Sequence, residues 1–219
     1  MAESSAQDVY GTARGPLARL ASPLAARARA RRHGQFFALT ALQPGARVLD
    51  LGCGQIGLRA LVGERRRPGR GPVEPLLDIT GVDLQPRPDY PGPFVQADAA
   101  DGLPFAEGQF DLVYCSSVIE HVPPPRRAAF AAELRRVGRG FYVQTPAFSF
   151  PIEPHALLPF AQWLPVSLRR PYWRLGAAGE WEEISLLRRG EMERLFEAPA
   201  LPERVGPLVK SWVCVRPVA

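Results

Sequence analysis

The sequence predicts an α/β domain: a mostly parallel sheet with helices packed on both of its faces. Three observations carry that expectation. Short apolar runs that read as strands alternate with helical stretches along the chain, the pattern of a sheet covered on both sides. The first strand runs into Gly52, Gly54 and Gly57, spaced G-x-G-x-x-G, so the backbone turns tightly, approaches a ligand and opens a helix. Carboxylates also recur at the carboxyl ends of successive strands, where the ligand crevice of such a sheet lies. A chain of 219 residues with 46% hydrophobic content encloses one substantial core, and two full domains would be cramped.

The elements follow in order. V-L-D-L from Val48 to Leu51 is the first strand, with Asp50 two residues before Gly52. A dinucleotide-binding turn offers only apolar side chains and backbone N–H groups to a pyrophosphate there, and an anion would repel it. The same anion attracts a ligand with a cation beside a nucleoside, and S-adenosylmethionine brings an ammonium and a sulfonium. I-T-G-V-D-L from Ile79 to Leu84 is a second buried strand ending at Asp83, placed to accept both ribose hydroxyls. F-V-Q-A-D-A from Phe94 to Ala99 is the third. Asp98 stands there to receive the adenine amino group, with Ala99 and Leu84 over the ring faces. F-D-L-V-Y-C-S from Phe110 to Ser116 is the fourth strand and leads into S-V-I-E-H-V. Pro125 starts a helix with Phe130, Leu134 and Val137 on one face and Gly138 as its stop. Gly140 to Thr145 is the fifth strand, residues 189–196 a further short helix, and Lys210 to Pro217 the last strand.

These motifs resemble the class I S-adenosylmethionine-dependent methyltransferases, in particular the compact bacterial group with a methyltransferase-11 type of domain. The resemblance rests on V-L-D-L-G-C-G at 48–54, G-V-D-L at 81–84, A-D-A at 97–99, L-P-F-A-E-G-Q-F-D-L-V at 103–113 and V-I-E-H-V at 118–122. It spans roughly the first two thirds of the chain in the family's order. It implies a Rossmann-like seven-stranded sheet, mostly parallel, with an antiparallel last strand and an insert after the fifth. It also implies S-adenosylmethionine as cofactor and S-adenosylhomocysteine as product. Carried onto this chain, the cofactor contacts are Asp50, Gly52, Cys53, Gly54, Gly57, Asp83, Leu84, Asp98, Ala99 and Ser116. One departure stands out, because Gln55 and Ile56 both precede Gly57 where the family pattern has a single residue, which predicts a longer turn.

Residues 146–188 exceed what a minimal fold of this kind needs. The insert emerges at the carboxyl end of the fifth strand, is rich in Pro and aromatics, and is expected to roof the acceptor side of the crevice. Its P-I-E-P-H and W-L-P segments are similar to inserts of bacterial methyltransferases of undefined acceptor. Packing of Phe148, Phe150, Phe160 and Trp163 onto the body is the competing reading. Candidate acceptor-side groups are His121, just after the fourth strand, and the pair Glu153 and His155 in the roof; each has a structural alternative as a loop brace. No metal site is expected, for no cluster shows metal-ligand spacing.

The formal charge is +5, with 27 basic and 22 acidic residues. Every basic residue but Lys210 is Arg, yet the arginines are dispersed, and the densest group, Arg65 to Arg70, falls in a Gly/Pro-rich connection. Nucleic acid is therefore not the expected partner. No apolar run approaches the roughly 18 residues of a membrane span. Residues 1–40, Ala/Arg-rich between Arg14 and Arg32, read as a helical arm near the cofactor mouth and not as a transit peptide, because Glu3 and Asp8 interrupt it. Three cysteines suit free thiols in a reducing cytoplasm. The favoured reading is one domain, 1–219, transferring a methyl group in line to a small-molecule, sugar or lipid-linked acceptor. Two alternatives stand beside it: RNA or protein methylation, and S-adenosylmethionine binding without methyl transfer, as in a cyclase. The sequence leaves the oligomeric state open.

Overall fold

The computed structural model describes residues 34–55, 57–63, 77–177, 181 and 183–218. Residues 34–40 are helical (α1), and the rest of the arm expected over 1–40 lies outside the described residues, as do Ile56 and the arginines at 65–70. The chain then runs β1 (Arg47–Leu51), α2 (Gly57–Gly63), β2 (Asp78–Asp83), β3 (Phe94–Gln96), β4 (Phe110–Ser116), a 3-10 turn (Pro124–Arg126), α3 (Arg127–Val137) and β5 (Gly138–Pro146). The insert carries β6 (Ile152–Glu153), β7 (Leu158–Pro159), a 3-10 turn (Ala161–Trp163) and α4 (Val166–Trp173). The chain returns through α5 (Arg189–Phe196), β8 (Ala200–Val205) and β9 (Leu208–Arg216).

Seven strands form one sheet in the order β3-β2-β1-β4-β5-β9-β8. β1 to β5 are parallel, and β9 inserts antiparallel between β5 and β8. The strand order reverses between β1 and β4, where the chain that built outward through β2 and β3 crosses back to the other side of β1. The connections that follow these two strands leave toward opposite sides, which is where the ligand crevice of a doubly wound sheet is expected.

Two apolar layers sandwich the sheet. One joins Leu49, Val113, Phe141 and Val143 to Phe130 and Leu134 of α3 and to Met192 and Phe196 of α5. The other joins Val48, Leu112, Tyr114 and Tyr142 to Phe36 of α1 and Leu58 of α2. Alternate residues of one strand thus serve opposite layers, which is why the central strands read as continuous apolar runs. Burying side chains such as Leu49, Leu112 and Phe141 contributes about 1.5–3 kcal/mol each.

Several boundaries differ from the sequence reading: the helix expected from Pro125 begins at Arg127 after a 3-10 turn, and the last strand spans Leu208–Arg216 in place of Lys210 to Pro217. β5 begins at Gly138 with no loop after α3, because Gly138 pairs with Phe110 in the ladder while also ending the helix. A side chain at 138 would meet Val113 Cγ2 at 2.6 Å, so close packing requires the glycine. β8 was not placed from the sequence. Most of its residues are exposed and Pro202 interrupts it, so this edge strand lacks an apolar run.

The insert has a small core of its own: Ala156, Leu158, Ala161, Trp173, Ile184 and Leu186, with Phe148 and Trp181 against it. Its two ends are joined by a bridge between Ala147 and Leu187 and by the Phe148 amide on the Leu187 carbonyl at 3.2 Å. Residues 146–188 thus form a closed excursion from the sheet. Phe160 and Trp163 stay exposed on it, against the reading that they pack onto the body.

Candidate functional site

The turn after β1 is held from below. Asp50 is 1% exposed, and its Oδ2 accepts the Leu58 amide at 2.6 Å, so the carboxylate caps the start of α2. Gly57 has φ +40°, and a Cβ there would lie 2.1 Å from Asp50 Oδ2; the third glycine is the space the carboxylate needs. Gly52 has φ +75° and would strike Val118 Cγ2 at 2.2 Å if it carried a side chain. Its amide and that of Cys53 both donate to the Val82 carbonyl, at 2.8 and 3.1 Å, which folds the turn across the end of β2. Beside Gly54 a Cβ would meet nothing within 4 Å, so this part of the turn borders open space.

Burial pushes the Asp50 carboxyl up to about 7, against the opposing pull of the Leu58 amide and Arg59. Its charge is therefore fully developed only above neutral pH. The sequence places Asp50 in contact with a cationic ligand; the structure places it beneath the turn, buried and bonded to the start of α2.

Asp83 lies at the end of β2. Its oxygens accept the Gly54 amide at 2.9 Å, the Gln85 amide at 2.9 Å and Arg87 Nη2 at 3.2 Å. Arg87 Nε also lies 3.2 Å from the other oxygen, so the guanidinium faces both oxygens of the carboxylate and holds it at the end of β2. Leu84 next to it is 59% exposed, an apolar side chain open to a ring. Ala99 is instead buried in the core beneath, and Asp98 is taken up by the Ala100 amide at 2.8 Å and by Arg126 Nη1 at 2.9 Å. Cys53 faces inward as well. Burial, and then the Asp50 charge, pushes its thiol up to about 12, so it is no nucleophile and only its backbone borders the turn.

Across the crevice, Ser116 Oγ donates to Gln144 Oε1 at 2.7 Å, and Ser117, with φ +57°, donates to the same oxygen at 3.3 Å. Gln144 was not singled out in the sequence, where it reads as one more strand residue. The strained Ser117 turns the chain off β4 and delivers Glu120 and His121 toward the insert. Glu120 is 1% exposed; its Oε2 accepts the Thr145 hydroxyl at 2.9 Å, and its carbonyl accepts the Ser185 amide at 3.0 Å.

His121 and the pair Glu153 and His155, separate candidates in the sequence, come together here. The two imidazoles lie edge to face with centroids 5.0 Å apart, and His155 Nε2 is 4.0 Å from Glu120 Oε1. His155 Nδ1 is 2.7 Å from Glu153 Oε1, while Glu153 Oε2 accepts the Ala156 amide at 2.6 Å. The β6–β7 hairpin thereby presents a buried carboxylate–imidazole pair to the body of the fold. A cavity of about 340 Å³ opens beside the cluster, lined by Glu120 and His121 from the body and by Phe148, Gln162, Arg169 and Glu183 among others from the insert. Arg127, 3% exposed and unremarked in the sequence, ties this region together. It donates to the Val122 carbonyl at 3.0 Å and the Ser185 carbonyl at 2.5 Å, and pairs with Glu191 at 2.6 Å.

With this geometry in place, residues 49–140 match the family model of the methyltransferase domain. An uncharacterized methyltransferase of Mycobacterium sp. (strain JLS) is 37% identical over 109 residues, which cover 47% of this chain and 38% of that protein. A 2-methyl-6-phytyl-1,4-hydroquinone methyltransferase of Synechocystis sp. is 28% identical over 139 residues, covering 59% of this chain and 36% of that one. A solved SAM-dependent methyltransferase of Methanosarcina mazei superposes with a TM-score of 0.51 at 16% identity, covering 80% of this chain and 92% of that chain. The chain spans well under half the length of these curated relatives. Residues 49–140 are thus similar to a methyltransferase domain, and the strand order gives the chain the Rossmann-like fold that its solved structural relatives share.

Proposed function

We propose that the domain binds S-adenosylmethionine at the Gly52–Gly57 turn and transfers its methyl group to a small-molecule, sugar or lipid-linked acceptor lodged under the insert. The observation that carries the reading is Asp83, which fixes the Gly54 amide at 2.9 Å beside a turn that borders open space and stands at the strand end where a ribose hydroxyl would be received. Asp50 supports that turn from beneath. Leu84 offers an apolar surface to the base, and Gly52, Gly54 and Gly57 let the backbone come close. When bound, S-adenosylmethionine supplies a methyl group activated by its sulfonium.

The chain's own residues have the task of alignment, which can account for ~7–11 kcal/mol of a barrier when two reactants are held in place. A hydroxyl acceptor also benefits from a base, typically ~10²–10⁴-fold. His121, bordering the cavity beside buried Glu120, is the group for that role, with His155 and Glu153 behind it.

The acceptor has an apolar body on this reading. Phe160, Trp163, Leu168 and Leu175 of the insert are exposed, and Phe148 lines the cavity. The Synechocystis relative is named for a phytylated hydroquinone, an acceptor of that chemical kind. Incubating purified protein with methyl-labelled S-adenosylmethionine and either a lipid and metabolite extract or total RNA tests the proposal. Label in the organic-soluble fraction, with S-adenosylhomocysteine released, is expected. Label in RNA alone overturns the acceptor class, and no binding of S-adenosylmethionine overturns the reading as a whole.

A further inference from the structure

We infer that Glu120, His121 and His155 form a binding site for a divalent transition metal of the zinc class, bridging the loop after β4 and the insert. Each residue offers one ligand atom, and these atoms lie within 4.8 Å of one another. Two imidazoles and a carboxylate are a donor set that such ions favour. A tetrahedral ion with bonds of about 2.0–2.2 Å holds its ligands roughly 3.4 Å apart, so the set closes by about an ångström on binding.

Two independent features point to a ligand. Glu120 Oε1 is sealed from solvent, the residue being 1% exposed, and it has no hydrogen-bond partner among the described residues. A buried charged oxygen without a partner is costly unless it is paired or coordinates a metal. His155 faces this oxygen with Nε2, while its Nδ1 is committed to Glu153 Oε1 at 2.7 Å. A carboxylate behind an imidazole, fixing its tautomer and sharpening the basicity of the other nitrogen, is the usual support of a metal-bound histidine. Glu153 is itself anchored by the Ala156 amide, so the imidazole is oriented before any ion arrives.

The ligands come from two segments distant in sequence, so no short motif announces them. An ion there joins the insert to the body. The side facing the cavity stays open for water or for an acceptor oxygen; that last point rests on the methyl-transfer reading, whereas the metal site does not.

The test uses the full chain, stripped with a chelator and titrated with Co²⁺ and with Zn²⁺. One equivalent of Co²⁺ with visible d–d absorption of a tetrahedral site, displaced by Zn²⁺, is expected. His155→Asn and His121→Asn should each lose that band. Glu153→Gln should weaken Zn²⁺ binding by about 10–100-fold with the band retained. The chain's third histidine serves as a control, His33→Asn leaving the titration unchanged. Absence of stoichiometric binding by the wild-type protein overturns the inference. So does a band that survives His155→Asn in a variant with wild-type circular dichroism. Calorimetry with S-adenosylmethionine on the same samples separates the two proposals: donor binding without metal binding sinks only this one, and metal binding without donor binding sinks only the proposed function.

Discussion

Asp50 Oδ2 and the Leu58 amide are 2.6 Å apart, and that carboxylate fills the space a side chain at Gly57 would need. The glycine-rich turn is thus a device with a buried acid as its keystone, and its properties follow from that pairing.

Gly57→Ala should destabilise the fold by about 1–3 kcal/mol, since it adds a Cβ at a left-handed φ and drives it into Asp50. In an Asp50→Ala background the same change should cost less, by a coupling of at least about 0.5 kcal/mol. Urea denaturation of the four proteins in the cycle measures this, and simple additivity would refute the steric pairing.

The raised carboxyl of Asp50 has a pH signature. Its ordinary value is 3.8 and its value in the fold is about 7, so between these the folded protein holds a proton that the unfolded chain has released. Stability from this group is fully present below about pH 4, falls as pH rises and levels off above about 7. Asp50→Asn keeps an acceptor for the Leu58 amide and should flatten this decline. Denaturant midpoints of both proteins from pH 4 to 8 provide the check; parallel curves would mean that Asp50 is ionised throughout.

Asp83→Ala should weaken S-adenosylmethionine binding at least tenfold by calorimetry, as it removes the anchor of the Gly54 amide together with the proposed ribose acceptor. Unchanged affinity would exclude the ribose assignment.

His121→Ala should leave donor affinity near wild type and lower turnover at least tenfold, because His121 borders the cavity proposed for the acceptor, which no residue of the glycine turn lines. Equal loss of donor affinity and turnover would make it a structural brace.

Arg127→Met should lower stability by roughly 3 kcal/mol, read as a fall in thermal midpoint. It strands the Val122 and Ser185 carbonyls and leaves Glu191 without its ion partner. A change within about 0.5 kcal/mol would show that solvent replaces those bonds.

Which residues make strands and which carboxylates end them was written locally. β4 spans Phe110–Ser116 as its apolar run predicts, α5 spans Arg189–Phe196, and Asp83 closes β2 beside the glycine turn. Such features depend on backbone preference and on the alternation of apolar residues, both of which act over a few neighbours. The partners of those carboxylates were not legible. Nothing near Asp98 announces Arg126, nothing near Ser116 announces Gln144, and the pattern around Ala99 does not say that it faces the core.

The sequence by itself determined the strands of the sheet other than β8, the turn and the positions of the acids, since each needs only short-range sterics and one burial pattern. Tertiary structure alone decided that Asp50 lies under the turn, and that Glu120 and His121 meet Glu153 and His155 as one buried cluster. Contacts between segments so far apart in the chain exist only after the insert has folded on its own small core and docked on the sheet, and no local pattern encodes that docking.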